Sequence, residues 1–141
     1  MKKNSKHKES IVEDLRIQKM DLRDRSHQYL LSNVRENKRF DPMPTELLTL
    51  LGCQFELRGS IYPMALSAEE EYHLPLSGVE HWVVCTEGEV EIHERQTQQR
   101  YVVSALQLLR ISRHSSQEYP NLKVLSQNEP SRVLWIIGHR K

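Results

Sequence analysis

The 141-residue sequence predicts a mainly β fold, a sandwich or barrel, preceded by a basic helical arm. Three observations lead there. Beyond Gln54 the apolar residues fall in short runs separated by turn residues: Phe55, Leu57 and Ile61; Trp82 and Val84; Val90 and Ile92; Tyr101 and Val103; Leu109 and Ile111; Leu122 and Val124; then Val133 to Ile137. No helical pattern alternates with these runs, which argues against a doubly wound parallel sheet. Upstream, Glu9 to Asp41 contains neither Gly nor Pro and spaces Val12, Leu15, Leu22 and Tyr29 at three- and seven-residue steps, the pattern of an amphipathic helix or two short ones.

The charge distribution marks the same division. Residues 1–45 carry eleven Lys/Arg against seven Asp/Glu, a net of +4, and residues 46–141 carry nine against twelve, a net of −3. The organisation expected is a helical arm with a proline linker over 1–44 and a β domain over 45–141. Asp24 or Ser26 would cap a second helical segment in the arm. Asp41-Pro42-Met43-Pro44 ends it, because each proline disfavours the helical region for the residue before it. Thr45 is then read as the cap of a short helix over Glu46 to Leu51, closed by Gly52. The arm's apolar seam would be covered by its own domain or by a second copy of the chain, and a homodimer is expected.

Several functional classes are excluded at this level. With 20 Lys+Arg against 19 Asp+Glu the formal net charge is +1, so the chain lacks the basic field of a nucleic-acid binder. The longest apolar run, Val133 to Ile137, is far short of a membrane helix, and the basic start lacks the apolar stretch of a signal peptide; a cytoplasmic protein is expected. Cys53 and Cys85 have no Cys-x-x-Cys spacing and read as reduced packing residues. The glycines at 52, 59, 78, 88 and 138 never cluster into a phosphate loop. His114-Ser115-Ser116 sits in no nucleophile elbow.

The most informative stretch runs from Glu80 to His93. On a strand Glu80, Trp82 and Val84 share one face while His81, Val83 and Cys85 share the other. The first set is read as inward, which puts a carboxylate among apolar neighbours. Such a group must bind a cation, accept hydrogen bonds or take up a proton, so Glu80 is either a site residue or an ion-paired structural one. After the turn at Gly88, Val90 and Ile92 face in, and Glu89, Glu91 and His93 face out. His7, His27, His93 and His139 read as solvated surface, and Glu69-Glu70-Glu71 as a solvated loop.

These residues resemble the cupin superfamily, and more specifically the cupin domain of type II mannose-6-phosphate isomerases and bifunctional mannose-1-phosphate guanylyltransferases. Those proteins share Arg-Ala-Glu-His-Trp-Val-Val-Val leading to Gly-Thr-Ala-Lys-Val; this chain has Gly78-Val79-Glu80-His81-Trp82-Val83-Val84 leading to Gly88-Glu89-Val90-Glu91-Ile92. The likeness covers about residues 55 to 140. It implies a jelly-roll β-barrel with a pocket between two motifs. The family's first motif supplies His-x-His, a Glu and, after six more residues, a Gly; here stand His73-Leu74-Pro75, Glu80 and, after seven, Gly88. The second motif is matched by Leu106, Ser112, His114, Gln117 and Asn121, so that Gln117 replaces a ligand histidine and Glu118 replaces the isomerases' arginine.

The resemblance thus implies a degenerate cupin whose pocket is lined by His73, Glu80, Trp82, Gln117 and Tyr119, with Glu80 as the candidate catalytic base. His73, Glu80 and the neutral amide of Gln117 form a weak ligand set, so no cofactor and no tightly bound divalent metal is expected unless His114 replaces the missing ligand. The function implied is binding of a small polar ligand such as a sugar or sugar phosphate, with weak or no isomerase activity. One alternative is a metal-dependent sugar-phosphate isomerase. The other is a sensor or partner-binding module, because Trp82 to Val90 and Ser131 to Ile136 also resemble the cupin-like sensor half of AraC-type transcription regulators.

Overall fold

A computed structural model describes residues 15–22, 30, 35–75, 80–94, 98–113, 121–126 and 130–140. Among them are ten strands and one helix: β1 (Leu15–Asp21), β2 (Lys38–Phe40), α1 (Thr45–Leu50), β3 (Leu57–Leu66), β4 (Glu71–Pro75), β5 (Glu80–Glu87), β6 (Glu89–Glu94), β7 (Arg100–Ser104), β8 (Gln107–Arg113), β9 (Asn121–Ser126) and β10 (Ser131–Arg140). They form two antiparallel sheets, one ordered β1-β8-β5-β10-β3-β2 and the other β4-β9-β6-β7. From β3 onward the chain passes back and forth between the sheets, giving four strands (β3-β10-β5-β8) opposite four (β4-β9-β6-β7). That connectivity is the jelly roll. The described strands divide between two separate hydrogen-bonded sheets rather than one closed ladder.

Alternation along the strands creates two apolar layers. Between the sheets lie Val83 and Cys85 of β5, Val90 and Ile92 of β6, Val103, Leu109, Ile111, Val124, and Val133, Trp135 and Ile137 of β10. The opposite face of the larger sheet presents Leu57, Ile61, Trp82, Val84, Leu108, Leu134 and Ile136, and it is not left to water. Leu22, Leu30, Met43 and the α1 segment, with Leu47, Leu48 and Leu51, cover it. The six-stranded sheet is therefore apolar on both faces, which is why β5 and β10 read as continuous apolar runs rather than as a clean alternation.

Two features of the N-terminal region differ from expectation. Leu15–Asp21, expected within a helix, is a strand that pairs with β8 from Leu15↔Arg113 to Asp21↔Gln107. The three- and seven-residue steps fit a helix, but Leu15 and Ile17 also fit a period of two, and the otherwise unpaired edge of β8 decides between them. Leu30 is helical and buried; Val12 and Tyr29 lie outside the described residues. The helix after the prolines forms as expected, but Pro44 is its N-cap and no side chain caps it, so Thr45 does not play that role. Gly52 follows α1 at φ 74°, a left-handed conformation that suits glycine.

Gly59 and Gly138 face each other across β3 and β10. A Cβ on Gly59 would lie 2.3 Å from the Ile137 carbonyl oxygen and 2.8 Å from the Met43 sulfur. Gly59→Ala should therefore cost about 1–3 kcal/mol through overpacking, seen as a fall of about 5 °C in the thermal midpoint. An unchanged midpoint would mean that this face is not packed so closely.

Candidate functional site

The strand parity expected for β5 holds, but the faces are reversed. Glu80 and Trp82 lie on the outer face of the larger sheet, beneath the α1 segment, and His81, Val83 and Cys85 point between the sheets. The cause is visible in the ladder. Opposite β10, Cys85 pairs with Val133 but Glu87 pairs with Arg132, so Thr86 is an extra residue, a β-bulge. The resembled motif leaves six residues between its Glu and its Gly, and the six residues 82–87 before Gly88 put His81, rather than Glu80, in the place of that Glu.

Glu80 is 4% exposed and fully engaged. Arg110 donates from Nε and Nη2 to its two carboxylate oxygens at 3.2 and 2.7 Å, and the Ser112 hydroxyl donates at 2.7 Å. The remaining Arg110 nitrogen donates to the Gly52 carbonyl at 2.8 Å. Trp82, which pairs with Arg110 across the ladder, donates its indole N–H to the Leu51 carbonyl at 3.1 Å. The Arg110 guanidinium sits 5.7 Å from the Trp82 ring centroid. Its hydrogen bonds to Glu80 raise its pKa above the ordinary arginine value, against the opposing effect of burial. Together these groups latch the C-terminal end of α1 onto the sheet.

His73 lies elsewhere. It pairs with Lys123 on the outer face of the smaller sheet and is exposed. There Lys123 bonds Glu71 at 2.8 Å and draws its carboxyl below the ordinary value, while His93 pairs with Glu91 at 2.7 Å. His73 is thus not brought together with Glu80 and Trp82. Gln117, Tyr119, His114 and Glu118 lie outside the described residues. Among the described residues no three His, Cys, Asp or Glu side chains gather as a metal site, and the described members of the expected ligand set do not fit one.

What the structure does assemble is a polar and aromatic strip on the inner face of the larger sheet, toward its β2 edge. His81 is fully buried and stacks on Trp135 with ring centroids 6.3 Å apart, and the indole N–H donates to His81 Nδ1 over a long 3.4 Å. Tyr62 follows, 5.6 Å from Trp135. Beyond it a cleft of about 390 Å³ opens, lined by Arg39, Asp41, Arg58, Ser60, Tyr62 and His139 among others. Its polar residues arise from alternation: Arg58, Ser60 and Tyr62 occupy one face of β3, and Leu57, Gly59 and Ile61 the other.

No protein-family model and no curated protein matches the chain. Similar solved structures include a cupin 2 domain-containing protein from Halorhodospira halophila, with 14% identity over 86% of this chain and 75% of that one and a TM-score of 0.49. A cupin superfamily protein from Desulfitobacterium hafniense has 13% identity over 76% and 83%, with a TM-score of 0.44. ToxT from Vibrio cholerae, in a structure with unsaturated fatty acid bound, has 11% identity over 57% of this chain and a TM-score of 0.44, and the chain spans 29% of its length.

The sequence reading puts His81 on the face of β5 opposite Glu80 and His139 on the solvated surface, and gives Arg58 and Tyr62 no role. The seven-residue spacing from Glu80 to Gly88 was the available signal for His81, and the polar alternation from Arg58 to Tyr62 the signal for the cleft. Cys85 shares the inner face with His81, and burial pushes its thiol up to about 11. At pH 8 it stays protonated, so iodoacetamide should leave it unmodified in the folded chain; rapid alkylation would place it outside the core.

Proposed function

We propose that the chain is a binding domain for a small polar ligand, a sugar or sugar phosphate, which enters the inner-face cleft near Tyr62, and that it has weak or no isomerase activity. The observation that carries this reading is the cleft itself: guanidinium, imidazole and hydroxyl groups beside an aromatic ring, in a concavity of about 390 Å³ at the end of a jelly-roll sheet. Aromatic rings offer apolar sugar faces a surface, and the polar groups around them supply hydrogen bonds. Aldose–ketose isomerisation needs in addition a positioned base and an electrophile for the enediolate. Glu80 is a poor candidate for the base, because Arg110 and Ser112 occupy its oxygens beneath α1. No helix among the described residues is long and apolar enough to cross a membrane.

The test is a coupled assay of mannose 6-phosphate and fructose 6-phosphate interconversion with added divalent metals, run beside a thermal-shift screen of sugars and sugar phosphates. Stabilisation by a member of the screen without turnover is the expected result. Metal-dependent turnover abolished by Glu80→Gln, at unchanged stability, would instead restore the enzyme reading.

A further inference from the structure

Resting on that reading, we propose that Arg39, Arg58 and His139 form the seat for the ligand's anionic group, a phosphate monoester. His139 faces Arg58 directly across β10 and β3, and Arg39 faces Ser60 across β2 and β3. Directly opposed residues have Cβ atoms about 5 Å apart and diagonal ones about 7–8 Å, so Arg39 and Arg58 stand within reach of one group placed between them. Two like charges at this spacing repel modestly, and an anion placed between them would relieve the repulsion. Among the described residues neither arginine forms an ion pair. Asp41 is the cleft's acid, and it has an interaction of its own.

The chemistry favours phosphate over a neutral hydroxyl. Two guanidiniums offer planar pairs of N–H donors, which match the oxygens of a phosphate, while the His139 imidazole and the Ser60 hydroxyl add single donors. Tyr62 stands at the inner wall, between this seat and Trp135, where the uncharged body of the ligand would rest. The seat and the aromatic wall belong to one cleft, so they select a molecule with a charged end and a compact polar body.

The experiment titrates the full chain with inorganic phosphate, fructose and fructose 6-phosphate at constant ionic strength, followed by the His139 ring signals in NMR. Arg39→Met, Arg58→Met, Arg58→Lys and, as a control on the exposed pair with Glu87, Arg132→Met are compared after their melting temperatures are matched. Inorganic phosphate and fructose 6-phosphate should shift His139, and either methionine variant should weaken binding by about tenfold or more, with Arg58→Lys intermediate and Arg132→Met unchanged. Inorganic phosphate that leaves His139 unmoved, or binds the methionine variants as well as the native chain, overturns the seat. Fructose binding as tightly as its phosphate would overturn the seat while leaving the small-ligand reading intact; a cleft indifferent to all three probes would overturn both.

Discussion

Replacing Glu80 by alanine should lower the thermal midpoint by about 10 °C, a large effect for a residue whose resemblance marks it as a site group. Removing the carboxylate leaves Arg110, whose side chain is 15% exposed, with its charge uncompensated under α1. Breaking one side of a buried ion pair costs about 3–5 kcal/mol, and a domain of this size loses about 2–4 °C per kcal/mol. The Ser112 hydroxyl also loses its acceptor. Glu80→Gln keeps one oxygen and should recover part of the loss, whereas Glu80→Ala combined with Arg110→Met should recover more, because the orphaned charge is gone. A midpoint shift under about 2 °C in Glu80→Ala would show that this carboxylate is solvated and the latch is not formed.

Trp82→Ala should cost about 3–5 kcal/mol, the usual price of deleting a buried large aromatic. Trp82 is fully buried among Leu57, Leu108 and the α1 leucines, and its indole N–H holds the Leu51 carbonyl. The loss should be local in one respect: Cys53, buried at the end of the α1 segment, should become reactive to thiol reagents at native pH well before the strands between the sheets lose amide protection. Trp82→Phe fills most of the volume without the hydrogen bond and should fall between. Equal loss of protection in α1 and in β10 would mean that the cover and the sheet unfold as one unit.

Much of the fold was legible. The runs around Leu57, Trp82, Val90, Val103, Leu109, Val124 and Val133 each became a strand, because short β-rich runs bounded by turns have few other ways to bury their apolar residues. β4 was hidden because its alternation is only two apolar residues long, Tyr72 and Leu74, and it follows directly on the acidic run that reads as a loop. β1 was read as helix because a seven-residue segment satisfies both periods, and only the partner edge of β8 selects one. The site was less legible. Parity told which residues of β5 share a face, but a sheet apolar on both sides gives no sign of which face is inner. The bulge at Thr86, one residue long, exchanges Glu80 for His81. The arginines of the cleft come from β2 and β3, far from the motif, and meet only through strand pairing.

On the function proposed above, the ligand is met on the Trp135 face of the larger sheet and the Trp82 face is structural. The chain has two tryptophans, hence two indole N–H signals. Titrated with fructose 6-phosphate, the Trp135 signal, beside His81 and Tyr62, should move with saturation, while the Trp82 signal, bonded to Leu51 beneath α1, should stay in place and exchange slowly with solvent. Movement of the Trp82 signal with Trp135 fixed would instead put the ligand on the face held by the Glu80–Arg110 latch, and would overturn the proposed site.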